Sequence, residues 1–391
     1  MRKLRRHSDS SASLTDRRAF LGKGLAAGAA SAGFALVGDG AQSPAQAASS
    51  LSTGDAALLR FAAAAEILES DFWVQYNELG GIQDDEVPGG TGNKVYTKAL
   101  QVLDSDFPQY IHDNTDDEIT HFTFLNAYLV SKGAAPADLE KFRTLQGSTA
   151  TGSSGKPRLT NLMELTIDTS WWTRYRSSDD NPDLDPNFVF PQAVPDLFKG
   201  PHTAIPRTDQ DLVADASQPG GVGLHTQAIA FTAGFHFGFI EQGGSSLYPS
   251  LAQRVSNVEV LRILLSIGPT ETAHFQTWHD KAGNALPITD VDTGFPGSNG
   301  TTVSFPNLND PHATTTQADE FQTNLIMPEP TFFLNKKFGP VSIVRPTETE
   351  NAAMNAVKGL AADGLFLGQS PQFFELLQDL AADADRARRE L

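Results

Sequence analysis

The stretch "ETAHFQTWHDK", residues 271–281, sets a Glu and a His three positions apart within an apolar segment. A second stretch, "DEITHF", residues 117–122, repeats this spacing with Glu118 and His121. Residues three apart lie on adjacent turns of one helix face, so both side chains of a pair can reach one point. The two pairs therefore predict two helices that each present a carboxylate and an imidazole to a shared site.

Hydrophobic periodicity predicts four long helices, which we name helices A to D. They span about residues 54–79 (A), 106–131 (B), 223–242 (C) and 256–282 (D). Glycine commonly follows the last helical residue, so Gly243 and Gly244 predict the end of helix C. The Gly268-Pro269 pair predicts a kink in helix D, because proline lacks the backbone N–H that the helix needs.

Two irregular segments separate or follow these helices. One, about residues 148–222, lies between helices B and C; the other, about 284–345, follows helix D and contains the β-like runs "TTVSF" and "GPVSIV". Two shorter helices are predicted at about 348–364 and 370–389. We expect one helical domain over residues 48–283, with residues 284–391 packed on it, rather than separate domains.

An internal repeat relates the two halves of this domain. The run "DFWVQYNELGG", residues 71–81, aligns with "GFHFGFIEQGG", residues 234–244, and "DEITHF" aligns with "TETAHF". Helices A and B therefore resemble helices C and D. The alignment sets Ile229 opposite Glu66 and Thr232 opposite Glu69, which predicts that helix C lacks the carboxylate that helix A offers.

Polar residues lie at one level of each predicted helix, between apolar layers spaced three and four residues apart. On helix A they are Glu66 and Glu69, and on helix C the candidate is His236, because Glu241 is predicted at the helix end and off the inner face. Ionised carboxylates are costly to bury alone, so several at one level pair, take up protons or bind a cation. A network that only holds the helices in register is the alternative to a metal site.

This pattern resembles the ferritin-like carboxylate proteins, in which two helices each give a Glu and two others each give a Glu-x-x-His motif. Within this family the chain is most similar to the secreted branch with plant desiccation-related and fungal stress-induced proteins. The similarity lies in the segment "FAAAAEILESDFW", the Gly-Gly pair at the helix end and the segment "DEITHF". The resemblance covers helices A to D. It implies a mainly α fold, a ferritin-like four-helix bundle with long irregular insertions between helices B and C and after helix D.

The resemblance also implies a ligand set for iron or manganese, with zinc as a further candidate. Glu118 and Glu271 would bridge two ions, and His121 and His274 would be terminal nitrogen ligands. The remaining candidates are a helix A carboxylate, which is Glu66 or Glu69, and His236 as a substitute ligand on helix C. His279 and Asp280 are expected at the surface, and Trp73, Tyr76 and Trp278 in the core.

The first 47 residues resemble a bacterial twin-arginine signal peptide. "TDRRAFLGK" is followed by the weakly apolar run "GLAAGAASAGFALVG" and by "SPAQA", a pattern typical of signal cleavage. The resemblance implies export of the folded chain by the twin-arginine translocase and a periplasmic or secreted location. No other segment is apolar over enough residues to predict a membrane span in the mature form.

The amino-acid composition further limits the possible binding partners and metal ligands. Asp and Glu outnumber Lys and Arg by 47 to 29, and this net charge of −18 argues against nucleic-acid binding. The chain has no cysteine, so any metal site must use histidine and carboxylates. The acidic run "DDNPDLDPN" lacks the Gly and Glu of a calcium-binding loop and predicts a solvated loop.

Two functions follow as hypotheses. The first is an exported ferritin-like protein with a Glu/His metal site that is oxidative or stress-protective and, if an enzyme, a metal-dependent oxidoreductase. The second is a metal-free structural or desiccation protein that retains the bundle without catalysis. Association of copies into a homo-oligomer is compatible with both.

Overall fold

The computed structural model describes residues 51–172, 187, 189–308 and 350–389. The predicted signal peptide, the run "GPVSIV" and all of the acidic loop except Asn187 lie outside these described residues. Within them the chain is mainly α-helical, as the sequence predicts. None of the helices in these ranges has the length and apolarity needed to cross a membrane.

Seven α-helices and one two-stranded sheet make up the regular structure of the described ranges. The helices are α1 (Thr53–Gly80), α2 (Lys94–Leu100), α3 (Phe107–Ser131), α4 (Leu224–Ala252), α5 (Val258–Ala282), α6 (Ala352–Ala362) and α7 (Pro371–Arg386). The strands are β1 (Thr289–Val291) and β2 (Thr302–Ser304), which pair antiparallel. Helices α1, α3, α4 and α5 correspond to predicted helices A to D, and β2 lies within the predicted β-like run "TTVSF".

The long helices pack as two pairs, α1 along α3 and α4 along α5. An aromatic layer joins the pairs, with one side chain from each helix: Trp73, Phe107, Phe237 and Trp278. The Trp73 and Trp278 rings stack with centroids 5.4 Å apart, and Phe237 lies 4.6 Å from Trp73 and 4.7 Å from Trp278. Tyr76 is also fully buried here, which confirms the three predicted core aromatics.

Helix α4 does not end at Gly243 and Gly244 but continues to Ala252, so that predicted boundary is wrong. Gly244 of α4 and Gly268 of α5 serve close packing instead. A Cβ atom on Gly244 would lie 2.8 Å from Oε2 of Glu271, and one on Gly268 would lie 2.8 Å from Cβ of Tyr248. The absence of side chains at both positions therefore lets α4 and α5 approach each other closely. Helix α5 in turn continues through Pro269.

A charged cluster ties the segment before α4 to the β-hairpin. Arg207 Nη2 lies 2.9 Å from Asp211 Oδ1 and 2.8 Å from Asp292 Oδ1. His225, in the first turn of α4, lies 2.8 Å from Asp290 Oδ2 through Nδ1 and 3.1 Å from Asp211 Oδ1 through Nε2. These contacts hold the insertion, the hairpin and the start of α4 together.

The insertion also covers α4 and α5 with two tryptophans. Trp171 packs against Phe235 and Phe275, and Trp172 stacks on His279 with centroids 4.5 Å apart. The expected surface position of His279 is therefore wrong, because Trp172 covers its ring. Asp280 is exposed, as predicted.

The C-terminal helices α6 and α7 lie within the two ranges predicted for them. They pack on each other, α7 also contacts α1, and α6 contacts α4. Arg254 Nη1, just after α4, donates to the backbone oxygen of Asp385 in α7 at 2.7 Å. The C-terminal region is thus docked on both helix pairs.

The close approach of α4 and α5 predicts that Gly268→Ala lowers the free energy of unfolding. The added methyl group meets the fixed Cβ of Tyr248, and overpacking of this kind costs about 1–3 kcal/mol. Gly243→Ala, in a helical position with no neighbouring atom within 4 Å, is the control. It should leave stability unchanged or raise it by up to about 1 kcal/mol through helix propensity. Urea unfolding measures both, and equal effects of the two variants would refute the close contact.

The His225 cluster predicts a pH-dependent stability. Burial alone would lower the pKa of His225, but hydrogen bonds to Asp211 and Asp290 raise it to about 9. Its stabilising charge is fully present below the unfolded pKa of about 6.5 and is lost as the pH rises through about 9. The stability advantage of the native chain over His225→Gln should therefore shrink by about 1–2 kcal/mol across this window, after allowance for solvent screening. Urea unfolding at pH 6 and pH 9.5 measures it, and a constant difference would contradict it.

Candidate metal centre

Six side chains from the four long helices converge at one buried level of the structure. They are Glu66 of α1, Glu118 and His121 of α3, Glu241 of α4, and Glu271 and His274 of α5. Each helix contributes a carboxylate, and α3 and α5 each add the histidine one turn further along. These residues form two overlapping groups.

The first group contains Glu66, Glu118, His121 and Glu271, whose potential ligand atoms all lie within 4.8 Å of one another. Nδ1 of His121 is at its centre. It lies 2.8 Å from Glu118 Oε2, 3.2 Å from Glu66 Oε2 and 3.4 Å from Glu271 Oε1. Three carboxylates and one imidazole therefore face a single point.

The second group contains Glu118, Glu241, Glu271 and His274, and its ligand atoms meet the same limit. Nδ1 of His274 lies 3.1 Å from Glu118 Oε1 and 3.4 Å from Glu241 Oε2. All four residues are buried. Like the first group, the second therefore contains three glutamates and one histidine, but its histidine comes from α5 and not from α3.

Glu118 and Glu271 belong to both groups. Glu118 directs Oε2 to His121 and Oε1 to His274, so its two oxygens serve opposite sides. This is the arrangement of a carboxylate that can bridge two cations. The two groups therefore make one continuous centre and not two isolated clusters.

Several oxygen atoms in this centre have no hydrogen bond. Both carboxylate oxygens of Glu271 and Oε2 of Glu241 are buried and form no well-aligned hydrogen bond, although Glu271 Oε1 and Glu241 Oε2 each lie 3.4 Å from a histidine Nδ1. Buried polar atoms are nearly always hydrogen-bonded, because leaving them unpaired costs about 1–3 kcal/mol each. Orphaned carboxylate oxygens at the meeting point of two imidazoles fit the ligand set of a metal ion.

The pKa values of the carboxyl groups in this centre are shifted in opposite directions. Burial raises the pKa of Glu66 to about 7, and burial together with the nearby carboxylates raises that of Glu271 well above its usual value. Burial alone would also raise the pKa of Glu118, but its contacts with His121 and His274 lower it. Burial would lower the pKa of His121, yet Glu66 and Glu118 raise it to about 11. The centre therefore favours added positive charge.

Three further side chains position the carboxylates and imidazoles. Asn114 donates to Glu241 Oε1 at 2.7 Å, and Tyr248 donates its hydroxyl to Glu66 Oε1. Asp117 Oδ2 lies 3.1 Å from Nε2 of His274. A carboxylate on the outer ring nitrogen fixes the orientation of an imidazole and is common behind metal-binding histidines. The sequence reading did not assign these supporting roles.

The structure brings together five of the seven residues predicted from the sequence. Of the two helix A candidates, Glu66 joins the centre, whereas Glu69 lies outside both groups, half-buried, with Oε1 buried and without a hydrogen bond. His236 also lies outside them. Its Nδ1 is 2.9 Å from the Tyr76 hydroxyl, and burial lowers its pKa to about 3. His236 is placed as a core side chain and not in the centre.

The carboxylate that helix C was predicted to lack is Glu241, so that prediction is wrong. The error has two causes: the predicted helix C ends one residue after Glu241, and the repeat alignment pairs Glu241 with Glu78. Glu78 instead binds Arg158 of the insertion. One signal in the sequence does identify Glu241, because it is the only Asp, Glu, Lys or Arg within α4. A single charge in an otherwise uncharged buried helix needs a partner.

Comparisons with known proteins found no matching family model, no similar curated protein and no similar solved structure. The interpretation of this centre therefore depends on its own geometry.

The buried carboxyl group of Glu271 predicts that a side chain suited to metal binding lowers the stability of the metal-free chain. Glu271→Gln replaces a buried carboxyl group whose ionisation is opposed by burial and whose oxygens form no hydrogen bond, so the metal-free variant should be more stable than the metal-free native chain by about 1 kcal/mol. Urea unfolding in the presence of a chelator measures the difference. Glu78→Gln is the control, because Glu78 is paired with Arg158, and its loss should be destabilising. A less stable Glu271→Gln variant would show that the carboxylate is already compensated.

Proposed function

We propose that the chain is an exported ferritin-like protein whose four long helices form a four-helix bundle around a dinuclear metal centre. The observation that carries this proposal is that two four-residue groups share Glu118 and Glu271. Two isolated polar clusters would need no common residue, whereas two adjacent ions need carboxylates between them. The ligand types match one Glu from each of two helices and a Glu-x-x-His pair from each of the other two.

In this proposal, Glu66 and His121 would hold one ion, and Glu241 and His274 would hold the other. Glu118 and Glu271, which belong to both groups, would be shared between the two. A set rich in carboxylates with one imidazole per ion suits iron or manganese, and zinc less specifically. The orphaned oxygens of Glu271 and Glu241 would then each gain a cation as partner.

The proposed chemistry is oxidation–reduction with oxygen or peroxide, which an iron or manganese pair supplies when it is bound. The chain's own residues hold and orient that pair. Asp117 fixes the ring of His274, Asn114 holds one oxygen of Glu241, and Tyr248 holds one oxygen of Glu66. We therefore propose a metal-dependent oxidoreductase with an oxidative or stress-protective role.

We further propose that the protein acts in the periplasm or outside the cell. The support is the order of basic, weakly apolar and small-residue segments in residues 1–47, which resembles a twin-arginine signal. That route carries folded proteins, often with a cofactor already bound. The absence of cysteine agrees with a metal centre of carboxylates and histidines that needs no thiolate.

A metal-free structural protein is the second candidate, and one observation favours it. His121 and His274 each lie within about 3 Å of Glu118, and their pKa values are raised despite burial. Two imidazolium groups can therefore compensate part of the carboxylate charge without any metal. In that case the same residues would only hold the helices in register.

Metal content separates the two candidates. We expect the native protein purified from its own host to hold about two iron or manganese ions per chain, measured by mass spectrometry of the metals. Glu118→Ala/Glu271→Ala should hold about none, because both shared ligands are lost. Glu66→Ala and Glu241→Ala should each keep about one ion, and the core variant His236→Gln should keep both.

Circular dichroism shows whether each variant is folded. A folded native protein without metal, whose stability does not change when iron or manganese is added, would favour the structural candidate. Loss of metal in His236→Gln but not in Glu241→Ala would contradict the proposed ligand set.

A further inference from the structure

A third group of potential ligands lies outside the proposed dinuclear centre. Asp84 and Glu86 belong to the segment between α1 and α2, and His112 belongs to α3. The ligand atoms of these residues lie within 4.8 Å of one another. His112 Nε2 is 2.9 Å from Asp84 Oδ2 and 3.8 Å from Glu86 Oε1. One imidazole nitrogen therefore faces two carboxylates.

The other nitrogen of His112 is already engaged. Its Nδ1 lies 3.2 Å from Asp113 Oδ1, and Gln109 donates to the same oxygen at 2.7 Å. Both ring nitrogens therefore lie within hydrogen-bond distance of a carboxylate, Nδ1 of Asp113 and Nε2 of Asp84, and a cation at Nε2 would replace the proton that this nitrogen shares with Asp84. A carboxylate that accepts from the outer nitrogen in this way is typical of metal-binding histidines. The ring is thus oriented for a cation.

A second, independent observation points to a ligand at this group. The Glu86 side chain is only 8% exposed, and its Oε2 atom is buried without a hydrogen-bond partner. Oδ1 of Asp116 is likewise buried without a donor. Asp116 is four residues after His112 and so lies on the same face of α3. The Asp116 and Glu86 carboxyl groups contact each other, so a proton or a cation must lie between them.

The carboxyl group of Glu86 is also hard to ionise. Burial raises the pKa of Glu86 to about 8, and the neighbouring carboxylates of Asp116 and Asp84 add to the effect of burial, while His112 opposes it. At neutral pH Glu86 therefore holds a proton, and a bound cation would take the place of that proton.

We propose that Asp84, Glu86 and His112, assisted by Asp116, bind one divalent first-row transition ion such as Mn²⁺, Fe²⁺ or Zn²⁺. The imidazole favours these ions over Ca²⁺ and Mg²⁺, which prefer oxygen ligands alone. Metal–ligand bonds of about 2.1 Å place adjacent ligand atoms roughly 3–3.5 Å apart. The distances of 2.9 and 3.8 Å from His112 Nε2 lie on either side of that range. Small side-chain shifts therefore complete the site.

This site is separate from the proposed dinuclear centre. His112 and Glu118 are six residues apart on α3, which is about 9 Å along the helix axis, and the two sites share no residue. The proposal does not depend on the proposed function, and each can fail without the other.

Co²⁺ is a suitable probe, because imidazole coordination gives it visible absorption and its stoichiometry can be counted by equilibrium dialysis. We expect the full chain with Glu118→Ala/Glu271→Ala to retain one Co²⁺ ion. Adding Asp84→Asn, Glu86→Gln and His112→Ala should weaken that binding by at least about tenfold, since several ligands are lost. Glu375→Gln/Asp379→Asn, two exposed positions of α7, removes the same carboxylate charge and should leave binding unchanged.

A folded Glu118→Ala/Glu271→Ala chain that binds no Co²⁺ would overturn the proposal, and so would binding that survives the three added substitutions. If the double variant does not fold, the three substitutions are made in the native chain. The Co²⁺ count should then fall by one, and an unchanged count would overturn the proposal. A native chain that binds only this one ion would instead count against the dinuclear centre.

Discussion

The carboxylate of Glu118 is the interaction on which the arrangement of the long helices depends. Its two oxygens contact His121 of its own helix and His274 of the other helix pair, so it links α3 to α5 through charge. A buried carboxylate is stable only if such partners are held in place. The aromatic layer of Trp73, Phe237 and Trp278 supplies that rigidity from the apolar side.

Close helix packing and carboxylate placement are coupled through glycine. Because Gly244 has no side chain, the Glu271 carboxylate can lie against α4, where it also meets Glu241. The same approach leaves both oxygens of Glu271 without hydrogen-bond donors. Packing that favours the fold thus creates a carboxyl group that is costly to ionise unless a cation is present. Functional sites often carry this kind of local cost.

Local sequence patterns predict the helices and the two Glu-x-x-His pairs, since residues three apart lie on the same face of a helix. They did not predict Glu241, because two glycines indicate a helix end just as readily as a close helix contact. The choice between Glu66 and Glu69 was also beyond the sequence. Both lie on the inner side of α1, and only the approach of Tyr248 and His121 selects Glu66. The burial of His279 depended on a distant residue, Trp172.

The position of Trp278 has an optical consequence. Its indole N–H donates to Asn114 at 3.1 Å, and Asn114 donates to Glu241 at 2.7 Å, so the indole is two hydrogen bonds from the carboxylates. The chain has four tryptophans, and the other three are likewise buried. A paramagnetic ion held by Glu241 would quench the emission of Trp278. The intensity of tryptophan fluorescence would then report whether the centre is occupied.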